Sequence, residues 1–417
     1  MIRMKTQIEQ AKNGIVTPQM KRAARFEGMA EETMRARVAD GSVVLMIRDD
    51  IPTAIGYRCK TKINVNLGTS SASINPAEEI EKAIIAERFG ADTVSDLSMG
   101  GDIRGIRRSI FANTTLPITT VPVYQTVIEQ GMVNMTCDDI LDMLRQHVKE
   151  GVSSVVLHCI EKAALEKLKK QERILGMVSK GGSFTSVYML SNGVENPFIE
   201  NFDEVLEILR SNDVVLSLGN TMRSGCIHDL QDGAQMQEVT ANARLAASAL
   251  EGGVQTIIEG IGGHVQAAHI AEYVQYHKQR SPAPLFVAGP LPTDIALGHD
   301  HIAGAVGASM ASGAGADYLC YITPAEHLKL PSPEQVKEGL MAFRIAAHIG
   351  DSIKYGVSNS DYELAKCRAR MDWDGQLEYA IDCEKPKSMS PAEGPCTMCG
   401  EYCAIKIMRQ YLFEEDG

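Results

Sequence analysis

Short apolar runs alternate with longer amphipathic stretches along this chain from about residue 62 onward. An apolar run of about four to eight residues between turn residues is typical of a buried strand, and apolar positions three and four apart are typical of a helix. Strands that alternate with helices in this way indicate a parallel sheet covered by helices. The pattern predicts nine strands, at 62–68, 93–99, 117–124, 153–160, 176–181, 214–220, 254–260, 284–289 and 316–323.

Polar residues follow nearly every predicted strand, and Asn66, Asp96, Tyr124, His158 and Glu259 are examples. In a barrel of parallel strands all the carboxyl ends meet at one mouth, whereas an open doubly wound sheet gathers its polar residues at a single crevice. We therefore predict an α/β fold, a (β/α)8 barrel, although nine strands are one more than a closed barrel needs.

The segments on either side of the predicted barrel have a different pattern. Residues 1–60 are charged and predicted to be helical, and they form a small N-terminal region before the barrel at 61–331. Residues 332–381 predict a C-terminal helical region whose apolar stripe suits packing. Residues 382–417 combine prolines with polar residues and then cysteines, which predicts a flexible linker and a cysteine-containing tail.

Composition narrows the class of protein. The 417 residues, 44% of them apolar, suffice for a full core, and a formal net charge of −12 argues against nucleic acid or an anionic membrane as the main partner. No apolar run is long enough for a membrane span and the first residues carry no signal-peptide core, so we expect a cytoplasmic protein with a small-molecule substrate. Seven of the ten cysteines are scattered singly, which indicates reduced thiols.

The other three cysteines, Cys396, Cys399 and Cys403, lie close together near the end of the chain. Thiolates at this spacing can converge on one metal centre, and Gly400 lets the backbone turn tightly around it. A structural zinc site normally has four protein ligands, whereas three cysteines leave one iron of a 4Fe–4S cluster open for S-adenosylmethionine. The count favours the cluster, and a zinc site completed by a distant Cys or His is the alternative.

Two groups at the predicted strand ends suggest ligands of other kinds. Ser179-Lys180-Gly181 offers backbone N–H groups and a cation to a phosphate, and Arg223 can hold a second oxygen with two hydrogen bonds. His264 and His327 follow two later strands. They can either bind a divalent metal through neutral imidazoles or hydrogen-bond the substrate alone.

Further motifs are more specific than these single residues. They are Asn64-Val65-Asn66-Leu67-Gly68-Thr69-Ser70, Val121-Pro122-Val123-Tyr124-Gln125, Gly289-Pro290-Leu291, Asp300-His301-Ile302 and Thr323-Pro324-Ala325-Glu326-His327-Leu328. With these motifs and the terminal cysteines, residues 60–408 resemble the radical S-adenosylmethionine family of thiamin pyrimidine synthase. The resemblance implies a barrel in a homodimer, with the cysteine loop of one subunit closing the barrel mouth of the other. It also implies a 4Fe–4S cluster, S-adenosylmethionine and an electron donor such as flavodoxin or ferredoxin.

The resemblance also assigns site residues in this chain. The substrate of the family is 5-aminoimidazole ribotide, and the residues implied to hold it are Asn66, Tyr124, His158, Ser179, Lys180, Gly181, Arg223 and Glu259. Glu259 is also implied to be catalytic, together with the three cysteines. His264 and His327 are implied to bind zinc or another divalent metal.

Several positions around this implied site depart from the family pattern. They are Ser95, Asn220, Thr221, Met222, Phe286 and an extra residue between Glu259 and His264. Because the changes gather around the substrate while the cysteine motif is intact, we predict the same substrate but a different product. The prediction is 5-hydroxybenzimidazole synthase, a radical carbon–carbon lyase of anaerobic cobalamin biosynthesis. The alternatives are phosphomethylpyrimidine synthase of thiamin biosynthesis, and a zinc-dependent barrel lyase or hydrolase whose cysteine tail is structural.

Overall fold

The computed structural model describes residues 5–229 and 232–412, and residues 1–4, 230–231 and 413–417 lie outside the described residues. The first residues, predicted to carry no signal-peptide core, and the last residues of the predicted cysteine-containing tail therefore lie outside the described residues. The strands are β1 (Val43–Arg48), β2 (Ile51–Gly56), β3 (Lys62–Leu67), β4 (Thr93–Asp96), β5 (Ile118–Thr120), β6 (Ser154–Leu157), β7 (Val215–Leu218), β8 (Thr256–Glu259), β9 (Leu285–Ala288) and β10 (Tyr318–Cys320).

Helices occupy most of the remaining described chain. They are α1 (Gln7–Lys12), α2 (Pro18–Glu27), α3 (Glu31–Ala39), α4 (Pro76–Arg88), α5 (Ile103–Asn113), α6 (Pro122–Gln130), α7 (Cys137–Lys149), α8 (Lys162–Leu168), α9 (Lys180–Asn192), α10 (Pro197–Glu200), α11 (Phe202–Ser211), α12 (Gly233–Glu251), α13 (Ala267–Lys278), α14 (Asp300–Ala314), α15 (Pro333–Tyr355), α16 (Asn359–Arg370), α17 (Trp373–Tyr379), α18 (Glu384–Lys387) and α19 (Ala404–Leu412). A short 3-10 helix, Gly400–Tyr402, precedes α19. Within the described residues, no helix has the length and apolar character needed to cross a lipid bilayer.

Strands β3 to β10 form a closed barrel of parallel strands in the order β10-β3-β4-β5-β6-β7-β8-β9. The predicted (β/α)8 barrel is thus confirmed. Apolar side chains between the strands and the outer helices form its core, with Val65 and Val94 on one side and Val155 and Leu216 on another. Because all strands run the same way, the polar residues at their carboxyl ends meet at one mouth.

The predicted strand at 176–181 is wrong, which accounts for the surplus ninth strand. Gly176 has φ 60°, and Ser179 is the N-cap of α9, where its Oγ accepts a hydrogen bond from the Gly182 N–H at 3.1 Å. The apolar pair Met177-Val178 between them is too short to pair as a strand. The strand predicted at 117–124 is also shorter, because Pro122 begins helix α6.

The N-terminal region is not wholly helical as predicted, because β1 and β2 form an antiparallel hairpin. Asp49 and Asp50 make its turn with φ of 48° and 64°. Val44, Met46 and Ile55 are buried in a cluster with Val215, Ile257 and Tyr318 of the barrel strands. The run from Val43 to Ile47 is apolar at every position because the barrel covers one face of the hairpin and helices α1 to α3 cover the other.

The described chain divides into two compact units, one ending at Lys354 and the other beginning at Tyr355. The first contains the hairpin, the barrel and nearly all of α15, whose Leu340 and Phe343 are fully buried in the barrel's outer core. The second contains α16 to α19 and the three clustered cysteines. Its proline-containing stretch includes the short helix α18, and the Trp373 indole donates a hydrogen bond to the Gly394 carbonyl at 2.9 Å.

Candidate active site

A cavity of about 400 Å³ opens at the carboxyl ends of the barrel strands, a size suited to a small ligand. Many of the residues predicted from the sequence line it. They are Asn66, Ser95, Tyr124, His158, Asn220, Arg223, Glu259, His264, Phe286 and His327. Lys180 lines a second, adjoining cavity of about 480 Å³ that shares Asn66 and His327 with the first. The structure therefore brings most of the predicted barrel residues together.

His158 lies between two glycines at the base of the cavity. A Cβ on Gly181 would lie 2.4 Å from Cε1 of His158, and a Cβ on Gly219 would lie 2.9 Å from its Cδ2. Only glycine fits at these positions, which explains Gly181 as a packing requirement of the imidazole. Burial, with a smaller contribution from the charge of Arg223, lowers the pKa of His158 to about 3. The imidazole is therefore neutral, and its Nδ1 has no hydrogen-bond partner among the described residues.

Two cations lie near the N-terminus of α9. The Arg223 guanidinium donates to the Asn220 carbonyl at 3.1 Å, and Lys180 Nζ lies 5.4 Å from the centre of the Tyr124 ring. Burial lowers the pKa of Lys180, and the positive charge of Arg223 lowers it further. Ser179 is fully buried as the helix cap. Helix N-termini attract anions, so the two cations and this helix end together suit a phosphate.

Two predicted site residues, Thr221 and Met222, are fully buried and do not line the cavity. Their backbone N–H groups donate to the two carboxylate oxygens of Glu238 on α12, each at 2.8 Å. Glu238 was missed from the sequence because it lies mid-helix with no motif to mark it. The loop it holds carries Asn220, whose Nδ2 is buried at the cavity wall without a partner among the described residues.

Glu259 ends strand β8 with its carboxylate in the cavity wall. Ser217 Oγ donates to its Oε1 at 2.9 Å. Burial raises the pKa of Glu259, and the Ser217 hydrogen bond and the charge of Arg223 oppose the rise. A buried carboxyl group in a cavity wall can accept a proton from a bound ligand and return it.

Aromatic side chains complete the wall. Phe286 stacks on Tyr318 with ring centres 4.1 Å apart, and Tyr124 meets Phe184 edge to face at 5.8 Å. Burial raises the pKa of Tyr124 to about 12, so its hydroxyl stays protonated. Cys320, the last residue of β10, also lines the cavity and was not singled out from the sequence. Its place at a strand end was the signal that marked the other site residues.

His264 and His327 face each other across the cavity mouth despite the extra residue before His264. Their Nε2 atoms are 3.3 Å apart. The Nδ1 atom of His264 lies 2.6 Å from a carboxylate oxygen of Asp294, and that of His327 lies 3.4 Å from one of Asp300. The extra residue is accommodated by Ile261, which is fully buried with φ 41°.

This histidine pair fits a zinc ion. Two nitrogens at about 2.0–2.1 Å from a tetrahedral zinc lie about 3.3 Å apart. Carboxylates that hydrogen-bond the far nitrogen of each imidazole are the usual outer partners of metal-binding histidines. Burial lowers the pKa of His264, which favours the neutral form that a metal requires.

The cysteine loop lies in the second unit. Cys396, Cys399 and Cys403 are free thiols, Cys399 exposed and the other two partly buried. The Gly400 N–H donates to the Cys396 carbonyl at 3.0 Å, and Gly400 has φ 53°. Among the described residues, no three His, Cys, Asp or Glu side chains converge on one metal position. A 4Fe–4S cluster binds each thiolate to a different iron, so three free thiols on a tight loop fit that group without such convergence.

Comparison with known proteins decides the family. A model of the Radical SAM ThiC family matches residues 6–410. The chain belongs to this family. Membership implies a 4Fe–4S cluster and S-adenosylmethionine. It also removes support from the alternative of a zinc-dependent lyase or hydrolase with a structural tail.

Relatives match at full length. The chain is 43% identical to phosphomethylpyrimidine synthase of Desulforamulus reducens, covering 98% of this chain and 99% of that protein. It is 44% identical to phosphomethylpyrimidine synthase of Archaeoglobus fulgidus, covering 99% and 100%. Among solved structures, Yersinia pestis dihydropteroate synthase aligns with 72% of this chain and over 96% of its own length, at 10% identity and a TM-score of 0.39.

These relatives overturn the prediction of 5-hydroxybenzimidazole synthase and its place in cobalamin biosynthesis. The matching proteins are named phosphomethylpyrimidine synthase, which was the alternative prediction from the sequence, and the matches extend over nearly the whole chain. Substitutions around a cavity change its shape and hydrogen bonding, but they do not specify which bond of an intermediate breaks. The departures at Ser95, Asn220 and Phe286 therefore gave too little ground for a different product.

Proposed function

We propose that this chain is a phosphomethylpyrimidine synthase, which converts 5-aminoimidazole ribotide to the hydroxymethylpyrimidine phosphate of thiamin biosynthesis. The observation that carries the proposal is the full-length identity of 42–44% to relatives of that name. The cavity supports it, since a ribotide needs an anion site at one end and hydrogen-bonding walls along its rings. Both features are present at the barrel mouth.

In this proposal the cations and α9 hold the phosphate. Arg223 and Lys180 would contact its oxygens at the N-terminus of α9, where the helix dipole favours an anion. Neutral His158, with its unpartnered Nδ1, would hydrogen-bond the ribotide from the cavity base. Glu259 would accept a proton from the reacting ribotide, because burial has raised its pKa.

Cys396, Cys399 and Cys403 would hold the 4Fe–4S cluster, and His264 and His327 would hold zinc or another divalent ion. When bound, the cluster and S-adenosylmethionine supply a 5′-deoxyadenosyl radical that abstracts hydrogen from the ribotide. The barrel walls would separate the reacting ribotide from bulk solvent, which limits side reactions of reactive intermediates. The fixed positions of His158 and Glu259 keep the ribotide oriented.

We also propose that the protein is a homodimer in which the cysteine loop of each subunit closes the barrel of the other. Exposed isoleucines on α15 support a second copy as partner: Ile345 is 48% exposed, Ile349 44% and Ile353 64%. Ile302 and Val306 of α14 are each more than half exposed. The two helices are in close contact, because a Cβ on Gly350 of α15 would lie 2.1 Å from Ser312 Oγ of α14. These five exposed apolar residues of the two helices are here called the α14–α15 stripe, and a second copy of the stripe can cover them.

The function is tested by product analysis. Anaerobically reconstituted protein is incubated with a reductant, S-adenosylmethionine and 5-aminoimidazole ribotide, and the products are identified by chromatography and mass spectrometry. We expect hydroxymethylpyrimidine phosphate together with 5′-deoxyadenosine. Cys399→Ala should form neither, whereas Cys383→Ala, an exposed cysteine of the same unit outside the motif, should form both. Formation of 5′-deoxyadenosine without the pyrimidine would reject the proposal.

A further inference from the structure

Asn64 lies in the middle of β3, completely buried, one layer below the cavity that it does not line. Its two neighbours on the cavity wall are Asn66, two residues further along the same strand, and Ser95 on the adjacent strand. The register of the barrel pairs Asn66 directly with Ser95. An amide that contacts both wall residues from below can control what each presents to a ligand.

The side-chain amide oxygen of Asn64, Oδ1, accepts hydrogen bonds. Ser95 Oγ donates to it at 3.0 Å and Thr93 Oγ1 at 3.0 Å, which uses both lone pairs of the amide oxygen. The Tyr318 hydroxyl donates to Thr93 Oγ1, because Thr93 has given its own proton to Asn64. A hydroxyl has one proton and two lone pairs. Because the Ser95 proton is used below the cavity, Ser95 presents only acceptor lone pairs to a ligand.

The amino group of Asn64 fixes the neighbouring amide. Its Nδ2 donates to Asn66 Oδ1 at 2.8 Å, which leaves the Asn66 amino group free to turn the other way. Asn66 Nδ2 donates to Cys320 Sγ at 3.1 Å. An amide has two N–H donors, so one remains for a ligand in the cavity. The reverse orientation of Asn66 would put two amino groups against each other.

We propose that Asn64 is a positioning residue that sets the hydrogen-bonding pattern of this wall, with an acceptor at Ser95 and a donor at Asn66. The wall then selects a ligand edge that offers a hydrogen-bond donor to Ser95 and an acceptor to Asn66. A heterocycle that carries an amino group beside a nitrogen or oxygen acceptor has such an edge. The assignment of that edge to 5-aminoimidazole ribotide rests on the proposed function. The orientation of Asn66 itself does not.

The orientation is tested through Cys320, whose sulfur receives the Asn66 hydrogen bond. The rate of Cys320 alkylation by iodoacetamide is measured on the full chain by peptide mass spectrometry at fixed pH. Asn64→Asp keeps the acceptor for Ser95 and Thr93 but cannot donate to Asn66. The Asn66 amide should therefore rotate, give its amino group to the new carboxylate and turn its oxygen to Cys320. Without a donor the thiolate is less stable, and the rate should fall at least about tenfold.

A double-variant cycle separates this route from a direct effect of the new charge on Cys320. Asn64 Nδ2 also lies 4.0 Å from Cys320 Sγ, so Asn64→Asp acts on the thiol directly as well. In an Asn66→Ala background only this direct effect remains, and the fall in rate should be at least about threefold smaller than in the wild-type background. A full tenfold fall in that background would overturn the proposal, as would an unchanged rate in the single variant. If Asn64→Asp does not fold, Asn64→Ala replaces it, with a smaller fall expected. Ser154→Ala is the matched control and should leave the rate unchanged, because it removes a buried barrel hydroxyl that has no hydrogen-bond partner in the described part of the chain.

Substrate kinetics give the second measurement. With 5-aminoimidazole ribotide, Asn64→Asp should raise KM more than it lowers kcat. The reason is that the altered hydrogen-bonding pattern of the wall already weakens binding of the substrate in its ground state. A fall in kcat alone would contradict the positioning role. The alkylation rate can be measured without turnover. A wild-type protein that makes no pyrimidine would therefore reject the proposed function, and the Cys320 alkylation rates would still test the role of Asn64.

Discussion

At the scale of single residues, Arg223 shows how tertiary contacts decide the role of a side chain. Asp96, a carboxylate at another strand end, pairs with Arg107 at 3.1 Å and not with Arg223. Among the described residues Arg223 forms no ion pair, and it contacts only backbone carbonyls while facing the cavity. A cavity cation held by neutral groups is available for an anionic ligand.

Arg223→Lys should weaken binding of the ribotide roughly ten- to a hundredfold. The change removes a planar two-pronged donor, worth roughly 1.5–3 kcal/mol for a charge-assisted hydrogen bond. Calorimetric titration of the ribotide, with inorganic phosphate as competitor, measures it. Arg104→Lys, at a half-exposed site on α5, is the control and should bind normally. Unchanged affinity in Arg223→Lys would mean that Arg223 only supports the loop.

The histidine pair gives a second test at this scale. His264→Ala and His327→Ala should each abolish most of the bound divalent metal, and the double variant should lose no more than either single one. The reason is that a site with two protein ligands fails when one is removed. Elemental analysis after zinc loading and dialysis is the measurement. His269 is an exposed histidine near Glu272, and His269→Ala should retain the metal. Loss of metal in His269→Ala, with metal retained in the other two variants, would place the metal site at His269.

At the scale of elements, the loop after β7 depends on a helix that follows it. Glu238 on α12 binds two successive backbone N–H groups and so fixes the turn that places Asn220 and Arg223. Burial raises the pKa of Glu238 to about 7, although hydrogen bonds from Met222 and Thr221 oppose the rise. The loop, the helix and the site are therefore coupled to one buried carboxyl group.

This coupling predicts a pH dependence of stability. In the folded protein Glu238 keeps its proton up to about pH 7, whereas in the unfolded chain it loses the proton near its ordinary pKa. Its contribution to stability is therefore complete below about pH 4.5 and is lost as the pH rises through about 7. Relative to Glu238→Gln, the wild type should lose on the order of 3 kcal/mol of apparent unfolding free energy between pH 5 and 8.

Urea unfolding at several pH values measures this difference. Glu251→Gln, at an exposed position of the same helix, should show the pH profile of the wild type. Parallel profiles for wild type and Glu238→Gln would show that the buried carboxyl group does not titrate in this range.

At the scale of the whole molecule, the proposed dimer is the feature with the clearest consequence. Four of the five residues of the α14–α15 stripe are isoleucines, each at least 44% exposed, and clustered exposed apolar side chains often mark an interaction surface. A charge placed in the middle of a face that meets its own copy appears twice in the interface and is desolvated there.

Ile349→Glu should therefore convert the protein from dimer to monomer at micromolar concentration, measured by sedimentation velocity. Phe26→Glu, at a 69% exposed apolar position on α2, should remain dimeric. A dimeric Ile349→Glu protein would place the interface elsewhere, and a monomeric wild type would reject the dimer itself.

Sequence alone determined the features that repeat or are local. The alternation of apolar runs predicted the barrel, because each βα unit buries its strand and one face of its helix in the same way. The ring of polar strand ends predicted which side chains meet at the mouth, since parallel strands share a direction. The spacing of Cys396, Cys399 and Cys403 pointed to an iron–sulfur enzyme, and the family match agrees.

Tertiary structure decided what depends on contacts between distant residues. The hairpin at Val43–Gly56 is a strand pair only because the barrel buries it, and Gly181 is required only because His158 lies against it. The hydrogen bonds from Thr221 and Met222 to Glu238 join a loop to a later helix, and Asn64 contacts Ser95 and Tyr318, which lie on other strands. No pattern in the neighbouring sequence records such contacts, because the energy that fixes them arises when separate elements pack together.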